Sequence, residues 1–319
     1  MNIQNKEIIN DYLTVYNEIK TKLDKNISDD TIKIVSLFYS ISNKPFQLQL
    51  FEDMSERINN EVGFSSINGE LRFIISTILI IKYDYPFTKV RVLIDNIELV
   101  NDYELFTKYS LFIGFLLLDE KDVKKRLNNS KDIYFEMQER HYFITGEEDY
   151  SFSILLSESV NDTNNLMDCI EYYYKQLADD CFKRGNSLQL LSHVLTLIVR
   201  DNYKDKVINN CIQIYKCMKE EGIKVKGVIY ALIGLVSTAV KEEDIDLIIK
   251  EIKEVYNYLN NIKSFKKNKE FNLIVSILVA INLKDDNKYI NYCINKNKTN
   301  IDYSLLVIIL SKNILRVVK

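Results

Sequence analysis

Apolar residues recur at steps of three and four along most of the chain, and that spacing predicts α-helices. Over 245–259 the positions Ile245, Ile248, Ile249, Ile252, Val255, Tyr256 and Leu259 form one stripe. Asp246, Lys250, Glu251, Lys253 and Glu254 fill the opposite face. This is the pattern of a helix that buries one side. Over 71–83 the set Leu71, Ile74, Ile75, Ile78, Leu79 and Ile81 covers most of the circumference, which predicts a helix enclosed on all sides. No segment sustains an apolar/polar alternation bounded by turn residues, so no strand is predicted.

Punctuation residues place the helix ends. Ser28-Asp29-Asp30 predicts a start and a helix to about Ser42. Pro45 suits a first helical position, Gly69 precedes the Leu71 helix, and Pro86 ends that helix and begins another. Thr145 and Glu148 have the spacing of a capping box before Tyr150–Ser159. Asn161-Asp162-Thr163 caps 166–182, Gly185-Asn186 caps 188–200, Gly222 ends 205–221, and Asp244 opens the Ile245 stripe. Taken in pairs, the helices start near 29, 70, 103, 147, 187, 227 and 270, about 40 residues apart, a period that fits two-helix repeat units. The expected fold is all-α, with roughly 14 to 16 helices as antiparallel hairpins stacked into an irregular α-solenoid. An irregular helical bundle has the same helix count and is the alternative. Residues 1–319 read as one array, with a soft division near 139–146.

Composition strengthens the helical reading. The 319 residues include two prolines and eight glycines, where average usage gives roughly 16 and 22. Such scarcity excludes loop-rich β architectures and glycine-built phosphate cradles, and neither G-x-G-x-x-G nor G-x-x-x-x-G-K-[ST] occurs. Ile, Lys and Asn are abundant and Trp is absent, so the many Ile residues are not strand signals.

Net charge is −3, so a general attraction to nucleic acid is not expected. The balance is uneven: from Asn261 onward there are 11 Lys/Arg against 4 Asp/Glu. The densest run, Lys263, Lys266, Lys267 and Lys269, reads as a solvated inter-helix loop or as a weak anion-docking patch. Five cysteines without a C-x-x-C argue against a disulfide framework or zinc ribbon, and all five are expected as reduced thiols. Residues 1–11 carry no apolar signal region, and the longest charge-free apolar stretches, 111–118 and 271–283, are too short to span a bilayer. A cytoplasmic protein without membrane contact is expected.

Two segments stand out chemically, each holding one of the two histidines. The first runs from Arg140 to Tyr150, and His141 with Glu148 and Asp149 has the ligand types a metal takes, although acids in a first helical turn also serve the helix dipole. The second runs from Lys183 to Leu195. Asn186, Gln189 and His193 share one uncharged polar face, suited to a partly buried hydrogen-bond network or to a ligand site. Asn186 with Gln189 is also a plausible capping pair. No hydrolase, metalloprotease or calcium-loop motif occurs, and no cofactor is implied. The run Tyr172-Tyr173-Tyr174 reads as core plus rim.

The segments His141–Asp149 and Gly185–His193, and more weakly Gly222–Lys226, resemble the domain-of-unknown-function family 4003 of low-GC Gram-positive bacteria. The similarity covers most of the chain. The family pattern commonly carries a proline after its motif histidine, where this chain has Tyr142. The resemblance implies an all-helical cytoplasmic protein of about this length and carries no activity with it. The functional expectation is a scaffold module that binds a protein or peptide in a concave groove. The alternative is an enzyme or small-ligand binder with a polar pocket formed by the His141 and His193 segments, which lie one proposed repeat apart. Nucleic-acid binding through Lys263–Lys269 is a third class.

Overall fold

A computed structural model describes residues 1–23, 27–42, 44–62, 66–103, 109–159, 162–199, 204–281 and 305–310. The chain is all-α. Among the described residues there are fourteen α-helices, a further helical stretch over 305–310, and no strand. Two compact units divide it: Asn10–Val160 with Asp302–Lys319, here the N-terminal unit, and Met1–Ile9 with Asn161–Ile301, the C-terminal unit. No described helix is long and apolar enough to cross a membrane.

The N-terminal unit holds most of α1 (Ile3–Lys22), then α2 (Asp29–Ile41), α3 (Leu48–Val62), α4 (Ser66–Lys82), α5 (Pro86–Asn101), α6 (Ser110–Leu116), α7 (Val123–Arg140) and α8 (Tyr150–Leu156). Helices α3, α5 and α7 pack side by side in one layer, and α2, α4, α6 and α8 in the other. The all-round apolar pattern of α4 has the expected result, with Leu71, Ile74, Ile75, Ile78, Leu79 and Ile81 all buried. Gly114 on α6 marks a close approach: a Cβ there would lie 2.9 Å from Ile97 Cγ1 on α5. The buried Asn96 amide donates to the Gly114 carbonyl at 3.1 Å, which satisfies a polar group inside this contact.

Serine 28 caps α2 as its sequence predicts, its hydroxyl accepting from Thr31 N–H. Lys33, fully buried, reaches back to Asp29 at 2.5 Å and Asp30 at 3.5 Å. Tyr16 and Lys20 of α1 donate to the same Asp29 carboxylate, each at 2.7 Å. Partial burial alone would raise the Asp29 carboxyl, but hydrogen bonds from Lys20, Lys33 and Tyr16 outweigh it and hold the group at about 2. This network fastens α1 to α2 and repays the burial of an ammonium group.

The C-terminal unit contains α9 (Thr163–Asp180), α10 (Asn186–Ile198), α11 (Lys204–Glu220), α12 (Ile229–Ala239), α13 (Ile245–Asn261) and α14 (Lys269–Ala280). The pairs α9/α10, α11/α12 and α13/α14 are hairpins, with α9, α11 and α13 in one layer and α10, α12 and α14 in the other. Asp162 caps α9 through bonds from Asn164 and Asn165 N–H. Gly222 ends α11 with φ +74°, a conformation that costs a glycine nothing. Residues Ile245, Ile249, Ile252, Val255 and Leu259 of the α13 stripe are buried.

Some starts differ from expectation. Pro45 precedes rather than opens a helix, and α3 begins at Leu48. Helix α4 begins at Ser66, ahead of Gly69, because a glycine inside a first turn is tolerated when the following turns are buried.

Candidate functional site

The first chemical segment forms a braced turn between α7 and α8. His141 terminates α7, and its N–H donates to Met137 O at 2.9 Å. The His141 carbonyl then accepts from both Ile144 and Thr145 N–H, each at 3.0 Å. The Thr145 hydroxyl, buried, donates to Met137 O at 3.1 Å. Asp149, 2% exposed, accepts from Gly146 N–H at 3.0 Å, and its own N–H donates to Gly146 O at 2.9 Å. The expected Thr145–Glu148 capping box is therefore displaced by one residue to Gly146 and Asp149. Thr145 is drawn back onto α7, which leaves Gly146 to begin the short 3₁₀ turn Glu147–Asp149. The side chain of Glu148 lies outside the described residues. Tyr150 follows and enters the core against Tyr134, ring centroids 4.1 Å apart.

This bracing holds two aromatic rings outward. Tyr142 is 69% exposed and Phe143 is 96% exposed, and their rings meet edge to face at 5.5 Å. Phe135 on α7 is also exposed, with Lys131 Nζ 6.0 Å from its ring centre. Exposed Glu139 and Glu147 lie on either side of the pair in sequence. Sequence reasoning weighed the acids and the imidazole here and passed over the aromatics. The available signal was two adjacent large aromatic residues inside a turn rather than on a periodic apolar face.

The second segment has the opposite character. Gly185, not Asn186, is the N-cap residue of α10, and its N–H donates to the Tyr174 hydroxyl at 3.0 Å. Asn186 is the first helical residue and is exposed. Gln189 and His193 are 1% and 0% exposed, enclosed as α10 packs on α9 and α12. The polar face predicted for α10 is thus split, with Asn186 at the surface and the other two in the core. Gly234 on α12 allows this enclosure, since a Cβ there would come within 2.7 Å of Leu191 Cδ1. Between Tyr172 and Tyr174 the sequence divides as core and rim: Tyr173 is fully buried, whereas Tyr172 donates outward to Asp205 at 2.6 Å.

The remaining chemistry is quiet. Cys169, Cys181, Cys211 and Cys217 are free thiols, and Cys293 lies outside the described residues. Burial pushes the Cys181 and Cys211 thiols up to about 12, so neither supplies a thiolate at neutral pH. Among the described residues no three His, Cys, Asp or Glu side chains converge as a metal-ligand set. An open groove of about 410 Å³ lies on the N-terminal unit, lined by Asp53, Glu56, Arg57 and Asn60 of α3 and Phe87 of α5.

Comparisons agree with the motif resemblance. The family described as "Protein of unknown function (DUF4003)" matches residues 15–309. The chain is similar to "Uncharacterized protein YeaA" of Bacillus subtilis (strain 168), 30% identical over 276 residues that cover 83% of this chain and 81% of that protein. No solved structure matches.

Proposed function

We propose that this chain, which belongs to the family of proteins of unknown function DUF4003, is a protein- or peptide-binding module that docks through the turn carrying Tyr142 and Phe143. The supporting observation is that pair: two rings, 69% and 96% exposed, on a turn fixed by six hydrogen bonds to Met137, His141, Gly146 and Asp149. Leaving two adjacent aromatic rings in water forgoes burial free energy, and rigid aromatic anchors are the side chains that dominate binding interfaces. The partner presents an apolar pocket for the rings and a basic rim for Glu139 and Glu147. Under this reading His141 and Asp149 shape the turn, and Gln189 and His193 fill a core. A cytoplasmic location belongs to the same reading, and the free thiols of the four described cysteines support it.

The test is a photoreactive phenylalanine analogue at position 143 in cells, with the same analogue at exposed Phe87 as a control. The expected result is one polypeptide cross-linked from 143 and not from 87, whose affinity for the purified chain falls at least tenfold on Phe143→Ser. Cross-linking that is absent, or equal from both positions, contradicts the proposal.

A further inference from the structure

The turns within the three hairpins of the C-terminal unit gather at one end of that unit, which the sequence alone does not reveal. Lys183 N–H donates to the Tyr230 hydroxyl at 3.2 Å, which ties the α9–α10 turn to the start of α12. Lys226 pairs with Glu270 at 2.8 Å, which ties the α11–α12 turn to the start of α14. Lys216 near the end of α11 pairs with Asp180 at the end of α9 at 3.1 Å. The three turns therefore stand in a row.

All three are cationic. The first carries Lys183 and Arg184, the second is flanked by Lys219 and holds Lys224 and Lys226, and the third is the run from Lys263 to Lys269; every one of these cations is exposed. Four of the five acids of this end are engaged, Asp179 by Arg184, Asp180 by Lys216, Glu221 by Lys253 and Glu270 by Lys226, and the fifth, Glu220, is exposed at the end of α11. Among the described residues no carboxylate pairs with Lys183, Lys224, Lys263, Lys266, Lys267 or Lys269.

The helices that begin here add to the charge. Helices α10, α12 and α14 all start without a side-chain cap, so each turns the positive end of its dipole toward this end of the unit. Packed neighbours are spaced about 8–10 Å apart, so the three starts span about 20 Å. Unpaired lysines beside uncapped helix starts, repeated three times in a row, form a strip suited to successive anionic groups on one extended partner.

We propose that this strip binds the sugar–phosphate backbone of duplex nucleic acid without reading its bases. The side-chain chemistry favours that partner over the other polyanions. Lysine is depleted in protein–protein interfaces, where arginine and aromatic anchors prevail. The apolar residues of these turns, Ile223, Val225 and Phe265, are buried, so no anchor is offered to a lipid surface. Stacking platforms for single strands are likewise missing from the described turns, and a duplex presents its phosphates outward. The net charge of −3 hides this surface because acids elsewhere in the chain outweigh it.

The test measures binding of the full chain to a fluorescein-labelled 20-base-pair DNA duplex of arbitrary sequence by anisotropy. With about five phosphate contacts, affinity falls roughly 10²–10³-fold between 50 and 200 mM salt. Lys263→Glu/Lys266→Glu/Lys267→Glu and, separately, Lys183→Glu/Lys224→Glu each weaken binding at least tenfold and flatten the salt dependence. Lys121→Glu/Lys124→Glu/Lys125→Glu, on the N-terminal unit, leaves both unchanged, and circular dichroism confirms helicity in every variant. The proposal is overturned by no binding at 50 mM salt, by equal weakening in all three variants, or by no weakening in the first two. It is also overturned if polyglutamate or phosphatidylglycerol vesicles bind more tightly than the duplex.

Discussion

The turn at 141–149 and the first half of α10 look alike as sequence: each has one histidine, nearby amides or acids, and a glycine at a helix start. In the folded chain they do different things. The polar groups of the turn bond to one another and to the end of α7, and the hydrophobic side chains between them face water. On α10 the hydrophobic side chains are packed and the polar ones, Gln189 and His193, are enclosed with them. The difference comes from what surrounds each segment. Leu188, Leu190, Leu191, Val194 and Leu195 give α10 apolar residues on nearly every side, so its polar residues are carried inward. The turn has Tyr142 and Phe143 without a periodic partner, so no face exists to bury them.

Substitutions separate the two cases, and the largest effect belongs to α10. His193→Ala removes a fully buried ring and leaves a cavity among groups that lose contacts, so unfolding free energy falls by about 3 kcal/mol. Urea titration of the full chain checks this, and a loss below about 1 kcal/mol contradicts core enclosure. Asp149→Ala removes the acceptor for Gly146 N–H and loosens the turn, which costs about 1 kcal/mol by the same titration. An unchanged midpoint would mean the turn is held by its other bonds alone.

Acid supplies an effect of at most the same size, graded with pH, on the N-terminal unit. The folded Asp29 carboxyl, at about 2, lies below its unfolded value near 4, so the bound network favours the ionised form. Its contribution is complete above the unfolded value and is lost as pH falls through about 4 to 2. With the carboxylate over a third exposed, screening limits the contribution to about 1 kcal/mol. Asp29→Asn is expected to remove that part of the acid dependence, and an identical pH profile in the variant would contradict the assignment. Smallest of all is Phe143→Ser, which shifts stability by less than about 0.5 kcal/mol because almost none of the ring is buried. A larger loss in thermal unfolding would mean that the ring packs against the protein.

Much of the fold is legible in the sequence, and the residues explain where legibility ends. Ser28, Pro86, Asp162 and Gly222 mark helix ends correctly because each acts through bonds within its own turn. Pro45, Gly69 and the Thr145–Glu148 spacing mislead: α3 starts at Leu48, α4 starts at Ser66, and Thr145 bonds back to Met137 so that Gly146 takes the cap position. The close packing of Leu191 against α12 depends on Gly234, more than 40 residues later. Exposure of Phe143 is equally hidden, since an aromatic residue in isolation suggests core. The expected site residues are thus legible as unusual, but their roles depend on long-range contacts.

The central claim is that the polar motif at 141–149 is a support and that its two aromatic residues carry the binding. Isothermal titration of the cross-linked partner against wild-type chain and a Tyr142→Ser/Phe143→Ser variant, at a temperature where both are fully helical, tests it most directly. The account predicts at least a tenfold loss of affinity in the variant with an unchanged unfolding midpoint. Equal affinity for the two proteins would contradict it.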